Sequence, residues 1–558
     1  MKKVLYTLAA LSFVFVACNK QEIVPEEGTS QEGELTTVTI KASNGDADTK
    51  AAISDGLAFT WTIGDQIAVH TDAGRFYTSE ALTTGGATAD FTVSLSGTRD
   101  GYAVYPASVA KSYSESTLTL TLPSEYTFAQ VSGDNTPLPM IADNTSAALS
   151  FYHVTGLLRL TITNIPTGTN KIKLDFNGKK VSGDFTISSP SAGSSSIGSV
   201  PGTKGTNDII WITGITGTAD LTVNIPLPTG ATYSDLTVSA WTSENVALRC
   251  QVVAFNTYSP VRAHGKKLYA ALNLGPFSVA DGKYVIIAPG NLYTESGTLK
   301  MAANYYDYIY AFSSNGDYAN NADTYNANNR THFNYNETYY LMKGEPLNNT
   351  KAYTNQDSYD LSRSDIEGGK SWTWRVPSNE DWKYLLLTSY VRPGARVRNG
   401  SSAEYTSGWK FVKVLVSDMA GAGTSNEDGT AALAADATAP STDYQAGLLI
   451  FPDNVDITGT FEILGDQNAN AAFNTTKITK ENLDNLVNAG CAFLPAVGRW
   501  YSTSFGAVGN DGSYWSCSKT ATTDVYCLRF TNNYFVPHTS GAWVSDSFRS
   551  VRLIRDLN

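Results

Sequence analysis

The residues best suited to hold a ligand are clustered. Nine tyrosines fall between Asn304 and Leu341, interleaved with asparagines and aspartates. Tyr318, Asn320, Asn321, Asp323 and Tyr325 form the densest part of this stretch. Sugar binding needs flat apolar faces for C–H contact and planar amide or carboxylate groups for adjacent hydroxyls. Tyr, Asn and Asp supply both, and Tyr does so at low entropic cost. Protein recognition uses the same composition, and so does a long loop folded over a core by its own tyrosines. Trp500, Tyr501 and Trp543 are flanked by Gly and Ser, which suggests loops and makes them secondary ligand candidates.

Chemistry of other kinds has little to work with. No nucleophile elbow, phosphate loop, dinucleotide fingerprint or H-E-x-x-H motif occurs. The five histidines, His70, His153, His264, His332 and His538, show no metal-ligand spacing. Asp453 and Asp456 offer oxygens without the register of a calcium loop. The expectation is a protein that is not an enzyme, with no cofactor and no metal. Carboxylates are too common for sequence to discount a pair in a cleft.

The elements that must position these residues are mostly strands. Of 558 residues only 16% are charged, with 46 Gly and abundant Thr and Ser, a composition that disfavours helical bundles. The formal charge of −12 argues against nucleic acid as a partner. Short alternating runs begin at Thr37: TVTI at 37–40, QIAVH at 66–70, TLTLTL at 117–122, LRLTI at 158–162, KIKLDF at 171–176 and DLTVNI at 220–225. Period-2 alternation puts one face in a core and the other in water. Two sandwiches are expected, 37–149 and 150–274. Pro276 ends this region, and 277–558 has a different mix of two short helices, few strands and long polar loops.

The helices announce themselves by their caps. Ser378 with Asp381 three residues on forms a capping-box signal, followed by Trp382, Leu385 and Leu386 on one face. A second helix is expected from Thr479, with Leu483, Leu486 and Val487 on one face and Gly490 as its stop. Cys250, Cys491, Cys517 and Cys527 are too sparse for a disulfide scaffold and read best as buried small side chains. Cys517 and Cys527 fall on two expected neighbouring strands, where pairing is the alternative.

The first residues concern location. Lys2 and Lys3 precede an apolar run, 4–16, of signal-peptide length. The stretch FVAC at 15–18 resembles a bacterial lipoprotein processing site, the alternative being an ordinary secretory signal with an incidental Cys. The resemblance implies removal of 1–17, acylation of Cys18, a flexible lipidated tether over 18–36 and attachment to the outer membrane at the cell surface. The mature charge would be −14, because Lys2 and Lys3 leave.

Three blocks in the first region, WTIGDQIAV at 61–69, ADF at 89–91 and YAVYP at 102–106, resemble the first half of the fimbrillin family of Bacteroidales-type pilus lipoproteins. FYHV at 151–154 and LLRLTI at 157–162 resemble the start of its second half. The resemblance covers roughly 37–274 and implies two transthyretin-like β-sandwiches. It also implies proteolytic loss of a first strand and strand donation from other pilus subunits into the groove left behind. Lys50 is the best-placed basic residue for that cut; an uncut loop Lys is the alternative.

Five blocks farther on, RVPSNEDW at 375–382, GLLIFPD at 447–453, AGCAFLPA at 489–496, GSYWS at 512–516 and SFRSVRL at 547–553, resemble the C-type-lectin-like fold. The branch is the one shared by formylglycine-generating enzymes and the Fibrobacter succinogenes major paralogous domain. The resemblance implies an α+β domain over 277–558 whose final strand pairs with its own early strand. Neither the reactive Cys pair of the sulfatase-modifying members nor the calcium-dependent sugar triplets of animal lectins occurs here.

Together these resemblances imply a mainly β surface lipoprotein, a tip or accessory fimbrillin whose C-terminal domain binds a host or microbial glycan or protein. In fimbrillin polymers the donated strand comes from the end of the pilin domain. Here that end runs straight into 277–558. The competing expectation is a non-polymerising, surface-anchored glycan-binding lipoprotein; a third is a degraded enzyme of the formylglycine-generating type.

Overall fold

The computed structural model describes residues 34–46, 60–132, 136–198, 200–203, 205–295, 298–302, 374–386, 397–399, 403–405, 409–415, 444–453, 477–501, 504–506, 511–519, 525–531, 535–536 and 549–557. The chain is mainly β, as its composition suggests.

A seven-stranded sheet comes first. Its order is Arg75–Thr78, Ala68–Thr71, Arg99–Tyr105, Met140–Asp143, Leu149–His153, Thr36–Asn44 and Thr88–Leu95. Alternate residues face two cores. Val69, Ala103 and Ala142 pack with Trp61, Phe91 and Phe151 on one side. Ala68, Val104 and Ile141 meet Leu118, Leu120 and Ile187 on the other. Those last three come from a three-stranded sheet of Gly183–Ser188, Thr117–Leu122 and Ala110–Ser114.

The next core, with Leu158, Ile162, Ile172, Val223 and Leu236, lies between two sheets. One has the order Leu221–Leu227, Gly156–Thr163 and Gly265–Ala271. The other runs Ala247–Tyr258, Tyr233–Trp241, Lys171–Asp175, Ile209–Thr213 and Glu125–Thr127. The sheets do not divide at 149/150. Leu149–His153 belongs to the first sheet, Glu125–Thr127 joins the five-stranded sheet, and Gly183–Ser188 returns to pair with Thr117–Leu122. Alternating runs of equal length carry no mark of which sheet they will join, so the sequence could not show this exchange.

In the C-terminal region, Asn379–Leu386 and Lys480–Asn488 are helices. The Ser378 amide donates to Asp381 Oδ2 at 2.6 Å, and the Asp381 amide donates to Ser378 Oγ at 3.1 Å, completing the capping box. The Asn482 amide donates to Thr479 Oγ1 at 3.1 Å. Gly490, at φ +100°, ends the second helix where the chain passes Gly275; a Cβ there would stand 2.7 Å from the Gly275 nitrogen. The second helix packs on a four-stranded sheet of Lys477–Ile478, Trp409–Leu415, Tyr444–Ile450 and Ala492–Pro495, and the first lies against Phe277–Ala280 and the strands Asp511–Lys519 and Val525–Thr531, with both sharing one core. Cys517 and Cys527 are buried on the adjacent strands Asp511–Lys519 and Val525–Thr531. Asp453 is buried, and its Oδ2 accepts from the Ser278 amide at 2.7 Å, tying this sheet to the start of the region.

Candidate functional site

Two strands at opposite ends of the chain define the site: the first, Thr36–Asn44, and the last, Ile554–Asp556.

The first strand lies next to the edge of its sheet, between Leu149–His153 and Thr88–Leu95. It runs antiparallel to Thr88–Leu95 over eight residue pairs, from Thr36↔Leu95 to Ser43↔Thr88. On its other side it runs parallel to Leu149–His153 over three pairs only, Ala42↔Leu149 to Asn44↔Phe151. Among the described residues, the half from Thr36 to Lys41 is therefore paired on one side. Its alternation sends Ile40 and Ala42 inward while Thr37, Thr39 and Lys41 stay at the surface. Burying Ile40 contributes roughly 1.5–3 kcal/mol, and Ala42 less. The large side chains of that core, Trp61, Phe91, Tyr105 and Phe151, belong to other segments. The strand is thus held mainly by its backbone ladder. Removing it would expose the edge groups of two strands and a shallow apolar groove, the arrangement that recruits a foreign strand.

Just beyond this strand, Asp46 is buried beside His153 and Arg262. The His153 amide donates to Asp46 Oδ2 at 2.7 Å, and Arg262 Nη1 donates to Asp46 Oδ1 at 2.7 Å. Burial pushes the His153 imidazole down to about 4; Asp46 pulls upward and Arg262 adds to the fall. An unfolded His titrates near ~6.5. The folded pKa is the lower one, so the unfolded chain binds more protons across this window. Stability is fully present above pH ~6.5 and falls as pH drops towards about 4. His153→Gln is expected to flatten this slope. Urea midpoints at pH 7 and pH 4.5 check it; equal losses in variant and wild type would show that His153 does not contribute.

The last strand is enclosed on several sides. Ile554–Asp556 pairs antiparallel with Lys283–Ile287, with Ile287↔Ile554 and Val285↔Asp556 in register. Arg375 reaches both Asp381 on the capped helix and Asp556. Arg552 is fully buried. It donates to Asn291 Oδ1 at 2.8 Å and to the carbonyls of Ala288, Pro289 and Phe493 at 2.8–3.0 Å. Burial pushes its guanidinium down to about 10, partly offset by Tyr514.

The tail also docks on the second sandwich. Leu557 joins Trp241, Ala247, Cys250, Tyr284 and Ile286 in a buried cluster. Its carbonyl accepts from Lys173 Nζ at 2.7 Å. Arg555 Nη1 lies 3.1 Å from Asp235 Oδ2, and Arg555 Nη2 bonds Asn177. Burial lowers the pKa of Lys173 despite Asp175 and Asp208, and lowers that of Arg555 despite Asp235 and Asp175. Alternation in 171–176 would place Lys173 and Asp175 in water; the C-terminal region covers that face and buries both.

Of the residues singled out in the sequence, Cys18, Lys50, Tyr318, Asn320, Asn321, Asp323, Tyr325 and Trp543 lie outside the described residues. Trp500 and Tyr501 stand together on the short strand Arg499–Tyr501, paired with Ser504–Gly506, where the flanking Gly and Ser suggested loops. Asp46, Arg262, Lys173 and Arg555 were missed. No local signal marks them, because each meets a partner across more than 200 positions, and Asp46 and Arg262 meet His153 across more than 100.

No protein-family model matches the chain, and no curated protein matches it. Solved structures show a distant likeness. One is a Bacteroides ovatus protein described as a candidate for cell adhesion: 15% identity, TM-score 0.27, covering 42% of this chain and 92% of that one. The tip fimbrial protein Mfa3 of Porphyromonas gingivalis, truncated at its C-terminus, shows 12% identity and TM-score 0.20 over 42% of this chain and 94% of its own. A fimbrial protein of Bacteroides ovatus shows 10% identity and TM-score 0.17 over 94% of this chain and 99% of its own.

Proposed function

We propose that the protein is a cell-surface lipoprotein serving as a tip or accessory subunit of a fimbrial filament. Its first sheet would accept a strand from a neighbouring subunit, and its C-terminal domain, lectin-like in its sequence blocks, would bind a glycan or protein without catalysing a reaction. Acylation at Cys18 would anchor the precursor in the outer membrane. Cleavage after Lys50 would release the segment carrying Thr36–Asn44 and open the groove between Thr88–Leu95 and Leu149–His153.

One observation carries the terminal position. The strand Ile554–Asp556 is hydrogen-bonded to Lys283–Ile287 and the Leu557 carbonyl is held by Lys173 of the second sandwich, so this strand is committed within its own chain. A subunit that receives a strand and offers none ends a filament.

Sequencing the amino terminus of protein from assembled filaments tests the opening step. A start at Ala51 is expected. Acylated Cys18 in every copy would indicate a permanent anchor, the non-polymerising alternative. Immunogold label confined to filament ends is expected, and label along the shaft would sink the terminal assignment. On a glycan array, replacing Tyr318 and Tyr325 by Ala should abolish any binding by the full chain; unchanged binding would move the ligand site elsewhere.

A further inference from the structure

We propose that the Arg262 guanidinium and the His153 backbone amide form a carboxylate seat at the end of the first strand's groove, and that this seat selects a strand bearing an acidic residue four positions beyond its small inward residue. The proposal rests on the strand-exchange reading and specifies which partner that groove would take.

The seat is visible because Asp46 occupies it. His153 N–H donates to Oδ2 and Arg262 Nη1 to Oδ1, each at 2.7 Å, so the two donors grip both carboxylate oxygens. Arg262 also donates to the His153 carbonyl at 3.3 Å, which orients the guanidinium along the strand end. Asp46 and His153 are buried, and the Arg262 side chain is 22% exposed. A charged donor in such a place makes a strong bond with an anion and a much weaker one with an amide.

The residues divide into those that stay and those that leave. A cut after residue 50 puts Asp46 on the departing piece. His153, at the end of Leu149–His153, and Arg262, just before Gly265–Ala271, both remain. The departing strand would leave behind a sheltered cation and an amide with the same geometric demand. An incoming strand that brings no acid leaves Arg262 without its counter-ion, and such loss is costly.

Register converts this demand into a sequence requirement. Ala42 sits opposite Ala89, and both are buried, so the groove is shallow at that point. Beyond Asn44, the Gly45 amide donates to the Phe151 carbonyl at 2.7 Å. A Cβ on Gly45 would stand 2.4 Å from the Tyr152 ring, so the chain passes close beneath that ring and delivers residue 46 to the seat. The matching strand has a small residue at the Ala42 position, glycine three places on and Asp at the fourth.

The test uses the full chain with a specific protease site inserted in 47–59. After cutting, labelled peptides of residues 34–46 compete for the position, one with the natural sequence and one with Asp46→Asn. Wild type should prefer the acidic peptide by about tenfold or more, the scale of a hydrogen bond to a charged group. Arg262→Met should remove the preference while still admitting both peptides. Equal binding of both peptides to wild type, or a preference that survives Arg262→Met, overturns the seat. If neither peptide enters, the exchange reading fails by itself and the seat is judged on the uncut chain. There, faster amide hydrogen exchange across 36–44 in Arg262→Met upholds it, and unchanged exchange overturns it.

Discussion

Deleting residues 551–558 is expected to unfold the C-terminal region while leaving both sandwich cores intact. The deletion removes Arg552, whose guanidinium serves the Asn291 side chain and three backbone carbonyls. A buried acceptor left unserved costs about 1–3 kcal/mol, so these groups together approach the ~5–15 kcal/mol that holds a typical domain folded. Ile554 leaves the core shared by Trp382, Phe493 and Leu448. Leu557 and Arg555 leave the junction with the second sandwich. Amide hydrogen exchange should show Lys283–Ile287 and Ala492–Pro495 unprotected in the truncated protein, with Leu158–Ile162 protected as in wild type. Native protection of Lys283–Ile287 would mean the last strand is dispensable to the fold, and the proposed terminal position would lose its support. Arg552→Lys is the milder counterpart. A single ammonium cannot reproduce the planar fork, so most of the destabilisation should remain.

The second large effect is expected at Trp61. Its ring is 1% exposed and meets Phe91, Tyr105 and Phe151 edge-on, with centroids 5.0, 5.1 and 5.5 Å away. Trp61→Ala should cost about 3–5 kcal/mol, combining lost transfer energy with a cavity that neighbouring strands cannot close. The backbone around it is fixed by paired bonds with Gly86, each 2.9 Å, which restrains collapse into the space. Ile40 shares this core, so exchange across Thr36–Asn44 should accelerate more than exchange across Gly156–Thr163. A calorimetric scan should show the transition of the first core displaced downward with the second unmoved. A scan superimposable on wild type would refute the assignment of Trp61 to the centre of that core.

Much of this was legible beforehand for a common physical reason: the signals are local. Alternation in TLTLTL at 117–122 reappears as alternating burial of Leu118, Leu120 and Leu122. Ser378 and Asp381 cap as their three-residue spacing suggests, and Thr479 does likewise. The run at 37–40 is a strand, extended at both ends to Thr36–Asn44. What escaped depends on contacts between distant positions. Lys171-Ile172-Lys173-Leu174-Asp175 reads as a half-solvated strand, and nothing within it tells that another region will cover Lys173 and Asp175. Arg262 carries no local mark of its partner, because it reaches 216 positions back to Asp46. Trp500 and Tyr501 carry loop-like neighbours yet lie on a strand paired antiparallel with Ser504–Gly506, because strands this short need little help from composition.

The distance between the partners of the last strand has a kinetic consequence. Arg552 bonds a carbonyl 264 positions earlier, and Lys283–Ile287 waits for the same stretch of chain. Contacts this remote close slowly, and they cannot begin before residue 554 has been made. The sandwich cores can therefore form while Lys283–Ile287 still lacks its partner. A ribosome that stalls short of residue 554 would release a chain whose first sheet is sound but whose Lys283–Ile287 strand never finds its partner.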